Sequence, residues 1–203
     1  MKLIESKLYT FVETLSSFFL LNLLWLLMCI PIFTIFPATA AMFGVVREWV
    51  LHKDLKVFNP FFRYFKENFK QSLLIGLVWI AFAGIFYIDY QIMLEFGSSQ
   101  KIFLPILILL GTLIIFVTSF LFPVMVHYTE NWIGILKNSL FFSVIYFPFS
   151  LLAIALIALI VTTLLLFPAA LLFIFSIGAY SLFFICNLVF QKIERIKLAE
   201  SIN

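Results

Sequence analysis

Four long apolar stretches, at about 72–96, 102–126, 139–162 and 168–190, dominate the chain. A membrane-spanning helix needs roughly 20 predominantly apolar residues, and each stretch meets that length. The polar run Gly97-Ser98-Ser99-Gln100 reads as a tight turn between the first two. Pro168 reads as the opening of the last helix, because proline suits a first helical turn. No charged residue occurs between Asn138 and Gln191, room for two crossings joined near Leu165-Leu166-Phe167. Runs such as Leu151-Leu152-Ala153-Ile154-Ala155-Leu156 lack the apolar-polar alternation that a barrel strand requires. Backbone polar groups in lipid must then be satisfied within each segment, which leaves helices.

The first third is harder to divide. Between Glu13 and Arg47 there are 33 residues without a charge, roughly 50 Å as one helix. That overshoots a bilayer, and Pro31 and Pro37 disfavour continuous helix in the middle. A first helix at about 14–33, a turn at Thr34-Ile35-Phe36 and a second helix at 37–51 are expected, with a single span as the alternative. The whole reads as an all-α polytopic transmembrane bundle over residues 1–203, with five to six membrane helices arranged as hairpins.

Composition agrees. Hydrophobic residues make up 65% of the chain and charged residues 11%, against roughly 45–50% and 25% in soluble domains. The first apolar run passes any small-residue cleavage site and continues into Pro31, so a mature chain without a cleaved leader is expected. Cys29 and Cys186 sit inside apolar runs and read as small packed side chains.

Charge then orients the bundle, since cytoplasmic flanks are enriched in Lys and Arg. With the N-terminal hairpin, Lys2, Lys7, Arg47, Lys53, Lys56, Arg63, Lys66, Lys70, Lys137, Lys192, Arg195 and Lys197 share one side, and Lys101 falls on the other. A single first span would move Lys2 and Lys7 across. Either arrangement makes the 45–70 loop and the C-terminus cytoplasmic, and the hairpin adds the N-terminus.

Asn59-Pro60 has the chemistry of an N-cap followed by N1. Phe58, Phe61, Phe62, Phe65, Phe69 and Leu73 then fall within about 120° of one another on a helix. Arg63, Lys66 and Lys70 occupy the neighbouring arc. The pattern predicts a separate cytoplasmic interfacial helix at 60–71, aromatic rings toward lipid and cations toward anionic headgroups. Its role is a topological anchor or a surface that docks lipid or a partner. The N-terminal segment is amphipathic as well, with Ile4, Leu8, Phe11, Val12 and Leu15 on one face. Lys66–Leu74 resembles Ile135–Leu140 in its approach to a span, which opens the possibility of repeated hairpins of the kind found in transporters.

Polar residues inside the apolar stretches are the other candidates. Asp89 lies 18 residues beyond Gln71, roughly 27 Å along the helix, at the far interface beside Tyr87 and Tyr90. Asn22 and Asn187 lie nearer mid-membrane, where hydrogen bonding between helices competes with a substrate contact. Arg47 and Glu48 close the second helix, and His127 and Glu130 end the 102–126 span. His52 and His127 have no ligand partners at metal spacing. No Gly-rich phosphate loop, nucleophile elbow or Cys-His arrangement occurs. An enzyme is not expected, nor a catalytic site, a metal, a cofactor or a nucleic-acid partner.

At Pro31-Ile32-Phe33-Thr34-Ile35-Phe36-Pro37-Ala38-Thr39-Ala40-Ala41-Met42, and again from Phe58 to Ser72, the chain resembles the YesL-like family of bacterial integral membrane proteins, a domain of unknown function. The family has no established chemistry, so the resemblance transfers no site residues. It implies a bacterial plasma membrane location. Genes of this family often accompany carbohydrate transporters and glycan-degrading enzymes, so it also implies a non-enzymatic accessory or regulatory role in carbohydrate uptake, with a transporter complex as partner. A small sugar-type permease is the alternative, and lipid sensing or remodelling is a third. Oligomeric state is not readable.

Overall fold

The computed structural model describes residues 2–95 and 100–202; the turn expected at Gly97-Ser98-Ser99 lies outside the described residues. Seven α-helices occur among them: α1 (Lys2–Met28), α2 (Ile35–His52), α3 (Phe58–Glu95), α4 (Gln100–His127), α5 (Trp132–Ile145), α6 (Phe147–Leu166) and α7 (Ile174–Ile202). Short 3-10 turns at Ile32–Thr34 and Pro168–Leu172 precede α2 and α7. Five stretches are long and apolar enough to cross a membrane: Tyr9–Met28, Phe58–Ile92, Leu107–His127, Phe147–Leu166 and Ile174–Ala199. The chain is an all-α polytopic helical bundle.

The N-terminal hairpin forms, but its turn lies earlier than expected: the first helix ends at Met28 rather than near 33, and the second begins at Ile35, with Ile35 and Phe36 inside the helix rather than in the turn. Pro31 and the 3-10 turn separate α1 from α2, and the Thr34 hydroxyl donates to the Pro31 carbonyl at 2.6 Å. The two helices are antiparallel, for Trp25 Nε1 donates to Thr39 Oγ1 at 3.1 Å while Phe18 meets Trp49 further along. The face expected from Ile4 and Leu8 lies outside the described side chains, but Phe11, Val12 and Leu15 of the same face are exposed.

Helix α2 fills the centre of the bundle. Ala38, Ala40, Ala41, Met42, Phe43, Val45, Val46 and Trp49 are all buried, under side chains from α1, α3, α4 and α7. Its antiparallel partner is the first half of α3. Two glycines set their separation: Gly44 faces the ring of Tyr64, and Gly76 faces Phe36. Small residues let helix backbones approach, and dispersion then holds helices together where lipid offers no hydrophobic drive.

This packing corrects the interfacial helix expected at 60–71. No boundary exists near residue 71, because α3 runs without interruption from Phe58 to Glu95. It starts two residues earlier than Asn59-Pro60 implied, with Phe61 N–H bonded to the Val57 carbonyl at 3.0 Å. Pro60 still sits in the first turn, where its missing N–H costs nothing. The inward stripe is Phe61, Tyr64, Asn68, Ser72 and Ile75, rotated roughly 80° from the arc of phenylalanines at 100° per residue. A close helix pair selects the face bearing Ser72 and Gly76, and Phe58 and Phe62 remain exposed.

Two further boundaries differ from expectation. The helix expected at 139–162 is divided at Tyr146 into α5 and α6. Pro148 in the first turn of α6 cannot donate to the preceding turn. The Ser150 hydroxyl bridges the break by donating to the Ser143 carbonyl at 2.7 Å. Pro168 opens the 3-10 turn rather than α7 itself, which begins at Ile174. Pro105 and Pro123 lie within α4 without ending it.

Helix directions gather the basic residues. The α2–α3 and α4–α5 connections, the start of α1 and the end of α7 share one end of the bundle. Asp89 and the start of α4, with Lys101, lie toward the other.

Candidate functional site

Ionisable groups from several helices converge at the basic end, and Glu48 is their hub. Its position follows from Gly44 one turn earlier, because Tyr64 rests on that glycine and its hydroxyl extends along α2. Tyr64 donates to Glu48 Oε1 at 2.7 Å, and Arg63 Nη2 donates to the same oxygen at 2.8 Å. The other oxygen, Oε2, lies 2.8 Å from His52 Nδ1. Arg47 Nη1 reaches the Tyr64 hydroxyl at 3.4 Å. The connection itself is fastened by Lys53 in the left-handed region and by Trp49 Nε1, which donates to the Lys56 carbonyl at 3.3 Å. In that loop, hydrogen bonds from Lys56 hold the Asp54 carboxyl below its ordinary range.

A second group joins α4 to α7. His127 stacks on Phe190 with centroids 4.5 Å apart, and its Nε2 lies 3.3 Å from Glu194 Oε1. Tyr128, just beyond α4, packs edge-on against the His127 ring. Burial, with Glu194 and Tyr146 nearby, pushes its phenol up to about 12. Gln71 Nε2 donates to the Glu130 carbonyl at 2.6 Å and ties α3 to the same loop. Asn131 caps α5 by accepting from Gly134 N–H at 2.8 Å.

The residues singled out from sequence do not form one cluster. Phe61 is fully buried in the α2–α3 contact, and Phe65 and Phe69 are half-buried beside it. Arg63 is engaged by Glu48. Phe62, Lys66 and Lys70 are exposed and form, with Phe58, an aromatic and basic stripe along the outside of α3. Asp89 is exposed near the far end, beside exposed Tyr87 and Tyr90.

Asn22 does what an intramembrane amide is expected to do between helices. It is fully buried, donates to the Leu171 carbonyl at 2.7 Å and accepts from Ser176 N–H at 3.2 Å. It thereby satisfies both sides of the break before α7, where helix ends leave unpaired groups. Asn187 is 6% exposed and makes no hydrogen bond among the described residues.

Sequence reading passed over Tyr64 and Glu194 and treated Arg47, Glu48 and His127 as helix ends. The signal present was the close spacing of Arg47, Glu48 and His52 at one helix terminus. Burial pushes the Cys29 thiol up to about 11. No group of three or more His, Cys, Asp or Glu suited to a metal occurs among the described residues.

Residues 18–90 match the family model described as "Protein of unknown function, DUF624". The chain is 33% identical over 125 residues to the uncharacterized protein YesL of Bacillus subtilis, covering 60% of this chain and 59% of YesL. It is 33% identical over 150 residues to the uncharacterized protein YteU of the same organism, covering 72% and 68%. A third uncharacterized relative there, YesV, is 31% identical over 134 residues, covering 62% of each. The chain thus spans less than two thirds of YesL and of YesV. No solved structure matches it. The Glu48, Arg63 and Tyr64 hub and Asn22 lie inside the family match, while His127 and Glu194 lie beyond it.

Proposed function

Because the chain belongs to the DUF624 family, the YesL-like proteins of unknown function, we propose that it is a non-enzymatic accessory or regulatory component of carbohydrate uptake in a bacterial plasma membrane. The observation that carries this reading is the filled axis of the bundle. A permease places its substrate between helices near mid-membrane, among broken helices and polar groups. Here that position belongs to the buried Ala38–Val46 segment of α2. The buried amides Asn22 and Asn68 spend hydrogen bonds on the chain's own backbone. Apolar side chains packed at such density leave work to the outside of the bundle.

The outside offers a suitable surface. Phe58, Phe62, Lys66 and Lys70 line the exposed side of α3 at the basic end. The positive-inside rule supports placing that end, with both termini, in the cytoplasm. Aromatic residues and cations in one stripe suit docking of a transporter subunit at the inner interface, with anionic lipid around it. The carbohydrate assignment comes from the family resemblance, and the hub at Glu48 ties the stripe's helix to α2.

The test is affinity purification of the full chain in mild detergent from cells grown on an inducing glycan. Stoichiometric recovery of a sugar-importer membrane subunit is expected. Recovery of the chain without any importer subunit under induction contradicts the reading.

A further inference from the structure

The basic end contains a half-buried charge with no counter-charge paired to it among the described residues. Arg47 is half-buried on α2, and its Nε is enclosed without a hydrogen-bond partner. Among the described residues it forms no ion pair, and its contact is the neutral Tyr64 hydroxyl at 3.4 Å. The adjacent carboxylate cannot serve it, because Glu48 is engaged by Arg63, Tyr64 and His52. Glu194 is turned to His127. A half-buried guanidinium without a counter-charge carries a desolvation penalty that hydrogen bonds to a hydroxyl do not repay.

Other orphaned groups are close by. His127 Nδ1, Tyr128 OH and Ser139 Oγ are also enclosed without partners. Tyr128 packs on His127, and its ring lies 5.9 Å from Phe142, one turn beyond Ser139. Helix α2, which carries Arg47, packs on both α4 and α7. The four orphaned side chains therefore sit on helices or helix ends at the basic end of the bundle, where α4 packs on each of α2, α5 and α7. Buried polar groups are ordinarily paired, and exceptions mark a bound water, ion or functional role.

We propose that Arg47, with His127 beside it, holds a phosphate group that enters from the basic end of the bundle, carried by a lipid headgroup or free in solution. Three features favour phosphate. A guanidinium presents a planar donor fork matched to phosphate oxygens. Arg47 lies five residues before the end of α2 at His52, about 7–8 Å in from that end, the depth of the headgroup boundary. Basic pockets between membrane helices on the cytoplasmic side are a recurring way to bind anionic headgroups. The site is distinct from the exposed α3 stripe, and the proposal does not depend on the carbohydrate reading.

Thermal unfolding of the purified full chain in an uncharged detergent tests it. Dioleoylphosphatidylglycerol, dioleoylglycerol (which lacks the phosphate) and inorganic phosphate against matched chloride are each titrated in. Phosphatidylglycerol is expected to raise the midpoint saturably, and dioleoylglycerol is not. Arg47→Gln is expected to weaken the phosphatidylglycerol response at least tenfold in concentration, while Lys66→Gln/Lys70→Gln retains it. A response to inorganic phosphate assigns the site to a soluble ligand; a response to the lipid alone assigns it to a headgroup. If Arg47→Gln does not fold, His127→Gln is expected to shift the response at least threefold. Equal responses to both lipids, no response to either phosphate source, or an undiminished response in the Arg47 and His127 variants overturns the proposal.

Discussion

Tyr64 lies directly on Gly44, so closely that a Cβ added to that glycine would collide with the first ring carbons. The contact sets the α2–α3 distance and aims the phenol at Glu48, 2.7 Å away. Gly44→Ala is therefore expected to destabilise the chain by about 1–3 kcal/mol, the usual cost of overpacking. Gly84→Ala is the control. No atom lies within 4 Å of a Cβ built there, so the substitution is expected to be neutral or to stabilise by up to about 1 kcal/mol through helix propensity. Thermal unfolding of both variants in one detergent measures the contrast.

The Glu48–Arg63 pair joins two helices across their connection, with side-chain exposures of 19% and 52%. Exposure of the arginine limits its direct worth to about 0.2–1 kcal/mol, screened by salt. Glu48→Gln is expected to cost more than Arg63→Gln, because Tyr64 and His52 lose their partner as well. A double-mutant cycle at low and high salt checks both statements. A coupling that does not fall with salt would contradict the ionic reading of the pair.

Asn22 and Asn187 are both nearly buried amides in apolar surroundings, yet their roles diverge. Asn22→Leu strands the Leu171 carbonyl and the Ser176 N–H, at about 1–3 kcal/mol for a buried unsatisfied group. Asn187→Leu removes no hydrogen bond and is expected to cost less than Asn22→Leu. Unfolding midpoints and yields of folded protein, compared between the two variants, provide the check.

Much of the fold was readable because lipid imposes strong rules on sequence. Pro31 and Pro37 marked the N-terminal hairpin, and charge asymmetry marked a common end for the connections. Asn22 was recognisable as a bond between helices. What escaped depended on which face of a helix meets another. The phenylalanines of α3 formed the conspicuous arc, whereas the packing face keeps only Phe61 of that arc fully buried and adds Tyr64, Asn68, Ser72 and Ile75, two of which carry no apolar signal. The break at Tyr146 was signalled by Pro148, which an unbroken apolar run concealed. The Glu48–Arg63 pair spans 15 residues, so no local periodicity reveals it; it becomes visible once α2 and α3 are known to fold back on each other.

Orientation is testable with reporter fusions. Fusions within the α2–α3 loop at Leu55 and after Leu198 are expected to give fluorescent protein that folds in the cytoplasm and inactive alkaline phosphatase. A fusion after Ile30 is expected to give the reverse. Active phosphatase at Leu55 would invert the bundle and remove the basis for a cytoplasmic docking stripe.

Accessory action at a sugar importer is tested most directly by a photoreactive amino acid placed at Phe62, which is 41% exposed on the α3 stripe. Irradiation of cells growing on an inducing glycan is expected to join the chain covalently to an importer membrane subunit. The adduct is expected to weaken when Lys66 and Lys70 are both replaced by Gln. A probe at exposed Ile85 toward the other end of α3 serves as the comparison. Cross-linking at Phe62 to lipid alone, or equal capture of the importer from Ile85, would contradict the docking surface and with it the proposed function.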